Sequence, residues 1–197
     1  MTPHIVRREF LSDEECARLL AWALDNAQRF RPAALSGGRV NEDIRRSLSL
    51  RDMGAMGAIF KEKMAAAAAG LIEDLRVTPF EISHIELELV AHNHGAHFQR
   101  HIDTYTTTRS KRGDRMLSAV YYFHREPKAF AGGALRLHAI GDPPDEDGQD
   151  VAPDQNTLVV FPSWGPHEVL PVSCSSGAFE DSRFAVNCWL YRPAKPA

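Results

Sequence analysis

The hydrophobic pattern changes at Pro79, and this change constrains the fold more than any other feature of the 197-residue chain. Before Pro79, two segments carry apolar residues at helical spacing. After it, short segments alternate with period two, as half-buried strands do. Turn-forming residues such as Gly132-Gly133 separate these segments. Helices followed by about seven or eight short strands predict a mainly β fold, a sandwich or barrel backed by N-terminal α-helices.

Two helices are predicted in the N-terminal part of the chain. Ser12 and Glu15 have the spacing of a capping box, which pairs each side chain with a backbone N–H and starts a helix. Leucines then recur at helical spacing, so the first helix is predicted from about Asp13 to Ala27. An apolar stripe predicts the second over Gly54–Leu75. The polar, arginine-rich stretch Asn26–Asp52 shows no clear periodicity.

The chain is expected to form a single domain whose C-terminal part consists of strands. A 22.0 kDa chain is typical of one domain, so we expect one over residues 1–197. Residues 1–80 would form helical support and connecting segments, and residues 81–193 the strand-rich core. The predicted strands are Ile85–Val90, Phe98–Asp103, Leu117–His124, Ala134–Ala139, Thr157–Pro162, Glu168–Ser173 and Arg183–Tyr191.

Composition excludes several classes of protein. Hydrophobic residues make up 44% and charged residues 25%, which rules out wholesale disorder. A net charge of −3 argues against a nucleic-acid partner. The first ten residues do not form a signal peptide and no apolar stretch is long enough to cross a bilayer, so we expect a cytoplasmic protein with no membrane partner. The three cysteines, too scattered for a disulfide framework or a thiolate zinc site, are Cys16, Cys174 and Cys188.

Histidines are the candidate ligands, because four of the nine lie within ten positions. These four are His92, His94, His97 and His101. His97 and His101 are four residues apart, which on a helix would suggest a zinc hydrolase. That class needs glutamate directly after the first histidine, whereas Phe98 stands there. The flanking segments are also strand-like, so a helical zinc site is disfavoured.

The pattern His101-Ile102-Asp103 fits a strand better. Side chains at i and i+2 of a strand project to one face, roughly 6.6 Å apart along the backbone, and can share a metal. His101 and Asp103 would supply one imidazole and one carboxylate. The 2-His-1-carboxylate triad that holds non-haem Fe(II) needs a second imidazole as its third ligand. His167 is the distal candidate, because it follows the buried run Thr157–Pro162 and opens another strand.

The last strand carries polar residues on one of its two faces. Phe184, Val186, Cys188 and Leu190 form an apolar face, and the other face carries Arg183, Ala185, Asn187 and Trp189. A buried polar face needs partners, and a guanidinium binds carboxylates bidentately. From the residues alone, Arg183 is either the binding site of an anionic ligand or half of a structural salt bridge.

Together these elements resemble the 2-oxoglutarate- and Fe(II)-dependent oxygenases, most closely the prolyl 4-hydroxylase-like branch. The likeness rests on His-x-Asp, a distal histidine in Pro-His-Glu-Val-Leu-Pro-Val, an arginine heading the last strand, and Asn-x-Trp. It covers roughly Ile85 to Tyr191. The resemblance implies a double-stranded β-helix, or jelly-roll, whose interior holds the iron.

The resemblance also implies roles for individual residues. His101, Asp103 and His167 would bind Fe(II), and Arg183 would bind the distal carboxylate of 2-oxoglutarate. The remaining residues would line the cosubstrate site: Tyr122 matches a family tyrosine that hydrogen-bonds the same carboxylate, Ser118 shares its strand face, Asn187 is a polar neighbour, and His92 stands where the family often has a tyrosine.

By resemblance, the activity is hydroxylation of an unactivated carbon with O2 and 2-oxoglutarate, with ascorbate as a candidate reductant. A prolyl residue of a peptide or protein is the first candidate substrate. Two alternatives stay open: a hydroxylase of a free amino acid or other small metabolite, and a non-catalytic metal-binding sensor barrel. The segments Thr104–Arg115 and Arg31–Ser47 are candidate lids, with Arg115 as a substrate contact. The acidic stretch Gly141–Gln155 is expected to be a solvated connection.

Overall fold

The computed structural model describes residues 1–35, 38–104, 113–143 and 148–194. Within these residues the chain forms two α-helices, α1 (Asp13–Asp25) and α2 (Gly54–Asp74), and fourteen strands. The strands are β1 Ile5–Arg8, β2 Arg31–Pro32, β3 Arg45–Arg46, β4 Leu48–Leu50, β5 His84–His92, β6 His97–His101, β7 Asp114–Phe123, β8 Ala131–Gly132, β9 Leu135–Leu137, β10 Gln149–Val151, β11 Thr157–Pro162, β12 His167–Val169, β13 Val172–Ser173 and β14 Arg183–Arg192.

Two antiparallel sheets form a jelly-roll, which confirms the predicted mainly β fold. The larger sheet has seven strands in the order β1-β11-β7-β14-β5-β4-β2, and the smaller has five in the order β10-β9-β12-β6-β3. A short pair, β13-β8, stands beside them. Side chains from both large sheets line one cavity. Strands that are distant in sequence, such as β5, β7 and β14, are neighbours in space, so distant residues converge there.

The helices cover one face of the seven-stranded sheet and leave the other to the cavity. Leu19 of α1 and Phe60 of α2 belong to one buried cluster with Tyr121 of β7 and Val186 of β14. Phe60 and Tyr121 have ring centroids 5.4 Å apart. Since side chains alternate along a strand, this packing turns the even-numbered residues of β7 and the odd-numbered residues of β14 toward the cavity.

The start of α1 follows the predicted capping box. The Ser12 amide donates to Glu15 Oε2 at 2.8 Å, and the Glu15 amide donates to Ser12 Oγ at 3.2 Å. Lys63 of α2 lies 2.7 Å from the same Glu15 oxygen and ties the two helices together. α1 ends at Asp25, two residues before the predicted Ala27, because the chain turns into a short 3₁₀ helix there.

Several short strands were not predicted. β2, β3 and β4 fall in the stretch that shows no periodicity, and two or three residues are too few to show alternation. The expectation that the acidic stretch 141–155 is only a solvated connection is wrong for β10. There Asp150 accepts two hydrogen bonds from Arg136 of β9, at 2.6 and 3.0 Å.

In the described part of the chain, neither helix is both long and apolar enough to cross a membrane.

Candidate metal centre

Three predicted ligands converge at one end of the smaller sheet. His101 ends β6, Asp103 follows two residues later, and His167 begins β12 directly opposite His101. One ligand atom from each residue lies within 4.8 Å of the others. His101 Nε2 is 3.8 Å from Asp103 Oδ1, and His167 Nε2 is 3.6 Å from Asp103 Oδ2. Two imidazole nitrogens and one carboxylate on one side of a cavity are the donor set of a facial triad.

Backbone carbonyls orient both imidazoles. His101 Nδ1 is 2.8 Å from the Gln99 carbonyl oxygen, and His167 Nδ1 is 2.9 Å from that of Gly165. A carbonyl can only accept, so each Nδ1 carries the proton and each Nε2 turns its lone pair toward Asp103. Phe98 stacks on the His101 ring at a centroid distance of 3.6 Å. The rings are therefore held in the tautomer and orientation that bind a metal.

The charge states of His101 and Asp103 also suit a cation. Burial and the neighbouring His167 lower the pKa of His101 to about 3, so its imidazole is neutral at neutral pH. Burial by itself would raise the pKa of Asp103, but His167 and His101 lower it to about 2. Neutral imidazoles and an ionised carboxylate are the forms that bind a metal ion.

Ser118 contacts the candidate carboxylate ligand. Its hydroxyl donates to Asp103 Oδ2 at 2.7 Å and lies 2.9 Å from Ser163 Oγ. The Asp103 amide donates to the Ser163 carbonyl at 2.9 Å. The family resemblance groups Ser118 with the residues of the cosubstrate site, whereas in the structure its hydroxyl contacts the candidate metal ligand Asp103.

Replacing Ser118 by alanine is expected to weaken Fe(II) binding by about 10- to 100-fold, as is typical when a partner that orients a ligand is lost. Competition with a fluorescent chelator measures this affinity directly. Ser118→Thr, which keeps the hydroxyl, should restore part of it. Ser173→Ala, at an exposed serine of β13, is the matched control and should bind iron like the wild type. Unchanged iron affinity in Ser118→Ala would remove the positioning role.

A second polar site is buried deeper in the same cavity, around Arg183. Arg183 begins β14 between His92 of β5 and the Tyr122 ring, whose centroid is 4.6 Å from the guanidinium carbon. All three side chains are buried. Arg183 Nε and Nη2 and the Tyr122 hydroxyl meet no hydrogen-bond partner among the described residues. Buried donors are costly when they are unpaired, so these three atoms fit a bound carboxylate.

His92 orients this arginine. Its Nδ1 lies 3.1 Å from Arg183 Nη1. Burial, together with the charge of Arg183, holds the pKa of His92 well below its usual value, so the ring is neutral and Nδ1 accepts the hydrogen bond. Burial also lowers the pKa of Arg183, but a guanidinium remains charged at neutral pH. Asn187, half-buried on the same strand as Arg183, lies on the cavity wall.

Gly133 makes room for the Arg183 side chain. It adopts φ +69°, and a Cβ there would lie 2.7 Å from Arg183 Cδ and 2.8 Å from Val172 Cγ2. We expect Gly133→Ala to displace the guanidinium and weaken 2-oxoglutarate binding by about tenfold or more, measured by titration calorimetry. Gly141→Ala is the control, since φ is +89° and nothing lies within 4 Å. It should share the backbone strain but bind 2-oxoglutarate normally. Equal affinities in the two variants would contradict this explanation.

The cavity has a volume of about 720 Å³, and parts of its wall are absent from the sequence prediction. Glu86 and Glu88 of β5 face it, together with Arg45 and Arg51. The sequence does contain a signal for them, because Glu86, Glu88 and His92 are an even number of positions apart and therefore lie on the same strand face. The cavity thus has a second charged region, apart from the candidate metal ligands and Arg183.

Arg115, the predicted substrate contact, is built into the cavity wall. Its guanidinium carbon lies 4.0 Å from the centroid of the Trp189 ring. Its nitrogens donate to the Tyr191 hydroxyl at 2.7 Å and to Glu86 Oε2 at 3.1 Å. Most of the predicted lid over 104–115 lies outside the described residues, as do residues 36 and 37 of the other candidate lid.

His97 takes no part in the centre. Its two ring nitrogens lie 3.1 Å from the carbonyl oxygens of Gly95 and Asp43. It sits on strand β6 rather than on a helix, which agrees with rejecting the zinc-hydrolase pattern.

Solved structures share this fold. A prolyl-4-hydroxylase of Pseudomonas putida superposes with a TM-score of 0.71 at 23% identity, over 98% of this chain and 95% of that one. A Trichoplax adhaerens prolyl hydroxylase, solved with a hypoxia inducible factor oxygen degradation domain peptide fragment, also gives 0.71, at 20% identity over 97% and 84%. Identities this low establish the fold alone.

Sequence comparison establishes the family. An uncharacterized PKHD-type hydroxylase of Synechocystis sp. is 34% identical over 192 residues, which cover 93% of this chain. The match spans 61% of the length of that relative. The model of the 2OG-Fe(II) oxygenase superfamily matches residues 87–191, more than half of the chain. Fe(II), 2-oxoglutarate and O2 are the reagents of that family, and the chain belongs to the 2OG-Fe(II) oxygenase superfamily.

Proposed function

We propose that the chain is an Fe(II)- and 2-oxoglutarate-dependent hydroxylase in which His101, Asp103 and His167 bind the iron. One observation carries the proposal: a His-Asp-His donor set and three unpaired buried donors around Arg183 line the same cavity. The donor set suits a divalent cation and the unpaired donors suit a carboxylate. A non-catalytic barrel that only holds a metal has no use for the second site.

The spacing of the two sites supports a bridging cosubstrate. Ser118, which contacts Asp103, and Tyr122, which stands beside Arg183, are four residues apart on β7, or about 13 Å along the strand. A five-carbon dicarboxylate, with its bonds to metal and guanidinium, matches this separation. We propose that Arg183 and Tyr122 hold its distal carboxylate and that His92 keeps the guanidinium in place.

With Fe(II) bound, the site would convert 2-oxoglutarate and O2 to succinate and CO2 and insert the remaining oxygen atom into a substrate C–H bond. The chain itself contributes placement. Ser118 would keep the Asp103 carboxylate turned toward the metal, and the Gln99 and Gly165 carbonyls would do the same for the imidazoles. The buried walls would limit the access of water to the reacting atoms.

For the substrate, we propose first a prolyl residue of a peptide or protein. Two structural neighbours are prolyl hydroxylases, and one of them was solved with a peptide fragment. A small metabolite or free amino acid is the second candidate. The charged wall formed by Glu86, Glu88 and their arginines favours it, because a charged pocket suits a charged small molecule.

The test is succinate formation by the iron-loaded protein with 2-oxoglutarate and ascorbate, followed by mass spectrometry of proline-containing peptides and free amino acids for the gain of one oxygen atom. We expect slow succinate formation without substrate and faster formation with one. Omitting iron is the control. If succinate never exceeds this control, the hydroxylase proposal fails and a binding barrel is favoured.

A further inference from the structure

A buried ionic network, which the iron and cosubstrate sites do not use, forms part of the cavity wall. Its centre is Glu86 and Glu88 of β5, which are 8% and 1% exposed. Buried carboxylates are costly unless they are paired, so their partners define what this wall can bind. Their partners among the described residues include Arg45, Arg51, Arg115 and Tyr191.

Every carboxylate oxygen in the network already faces a guanidinium. Glu88 Oε2 accepts from Arg45 at 2.7 Å, and its Oε1 lies 3.6 Å from Arg51 Nη2. Glu86 Oε1 accepts from Arg51 at 3.0 Å, while its Oε2 accepts from Arg115 and from the Tyr191 hydroxyl. A cationic substrate group would have to break one of these pairs. The glutamates therefore do not form a site for a cation.

Among the described residues that line the cavity, guanidinium groups outnumber carboxylates. The ionised groups that line it in the described part of the chain are four arginines and three carboxylates. A divalent metal and dianionic 2-oxoglutarate cancel each other, so the described lining keeps one guanidinium more than it has carboxylates. An anionic group on the substrate would complement this excess. The arginines are Arg45, Arg51, Arg115 and Arg183, and the carboxylates are Glu86, Glu88 and Asp103.

Among the described arginines that line the cavity, Arg51 is the most exposed to an incoming ligand. Its side chain is 64% exposed, against 8% for Arg45 and 10% for Arg115. It directly follows β4, lines the cavity and contacts the glutamates through Nη1 and Nη2. A guanidinium has five N–H donors, so two contacts leave donors for an anion.

The network lies level with the metal centre. Glu86 pairs with Trp189 on β14, which pairs with Ser118 on β7, so these three residues form one row across the sheet. Two strand spacings separate Glu86 from Ser118, or about 10 Å. Ser118 contacts Asp103, whereas Arg183 lies six residues from Trp189 along β14. Glu86, with Arg51 paired to it, thus lies level with the candidate metal ligands and apart from Arg183.

We propose that the substrate carries a carboxylate a few bonds from the carbon that is hydroxylated, and that Arg51 binds this carboxylate. The inference rests on the proposed hydroxylase function and specifies its substrate class. The carboxylate can belong to a free amino acid or related small acid, or to an acidic side chain next to the target residue of a peptide. Glu86 and Glu88 hold the arginine toward the cavity, and because both are already paired with arginines they offer no site for a cationic group.

The test measures binding without turnover. The protein is loaded with Zn(II) and 2-oxoglutarate, so that Arg183 is occupied, and the Nε–H resonance of Arg51 is followed by NMR. One pair of probes is L-proline and L-prolinamide. The other is N-acetyl-Pro-Asp-amide and N-acetyl-Pro-Asn-amide. We expect the acid of one pair to shift the resonance and bind about tenfold more tightly than its amide. The pair that responds identifies the source of the carboxylate.

Variants assign the effect to Arg51. Arg51→Gln should abolish the preference for the acid, and Arg51→Lys should keep part of it. Arg8→Gln, at an exposed arginine paired with Asp154, is the matched control and should keep all of it. Equal affinity for acid and amide in both pairs, or a preference that survives Arg51→Gln, would overturn the proposal. Succinate formation by the wild-type iron enzyme tests the underlying function separately, since the binding assay involves no turnover.

Discussion

Replacing His101 or Asp103 by alanine is expected to abolish 2-oxoglutarate-dependent succinate formation, by at least about a thousandfold. Each change removes one of three candidate ligand atoms that lie within 4.8 Å of one another. A bound metal contributes several kcal/mol to such reactions, which corresponds to that factor in rate. Asp103→Ala also removes the only carboxylate of the triad, so it should lose iron even when excess metal is supplied.

The control is His97→Ala. This imidazole is on the same strand as His101 but contacts only the backbone carbonyls of Gly95 and Asp43 among its hydrogen-bond partners in the described structure. It should bind iron and form succinate at the wild-type rate. Circular dichroism and thermal melting verify that all variants remain folded. Succinate formation that persists in Asp103→Ala or His101→Ala would contradict the assignment of the metal site.

The fold was predictable where elements are long and regularly patterned. α2 begins at Gly54 as predicted and ends at Asp74, one residue before the predicted Leu75, and β11 has the predicted bounds. β2, β3 and β4 were not predictable, because strands of two or three residues show no periodicity. They form only through pairing, β2 with β4, β3 with β6 and β4 with β5. The sheet contacts that create them lie far away in sequence.

The site was predictable in part. The His101–Asp103 spacing has local meaning, since alternate residues of an extended chain share a face. His167 was a candidate only because it opens another strand, and the family resemblance then supported its choice. Glu86 and Glu88 were missed because alternating acidic residues on a strand ordinarily face solvent. In a jelly-roll that encloses a polar cavity, the interior face is charged instead, so the same pattern has the opposite meaning.

Removing Arg183 is expected to have the largest effect on the cosubstrate. Arg183→Ala deletes a buried guanidinium with two unpaired nitrogen atoms, and losing such a partner for a carboxylate typically costs 2–5 kcal/mol. The dissociation constant for 2-oxoglutarate should therefore rise by about 30-fold or more, measured by calorimetry on the Zn(II)-loaded protein. Iron affinity should change little, because Arg183 contacts none of the three candidate ligands. An unchanged 2-oxoglutarate affinity would exclude Arg183 from the site.

Tyr122→Phe separates a binding role from a structural one, because its two effects have opposite signs. The Tyr122 hydroxyl is buried and unpaired, so its removal should stabilise the ligand-free protein by about 1 kcal/mol. The same change should weaken 2-oxoglutarate binding and reduce the rise in melting temperature that the ligand causes.

Tyr121→Phe is the matched control: this neighbour points to the helix side and donates to Asn156 Oδ1 at 2.9 Å. Its loss should destabilise the protein and leave 2-oxoglutarate affinity unchanged. If both variants lower stability equally and neither affects 2-oxoglutarate, the Tyr122 hydroxyl is structural and the carboxylate binds elsewhere.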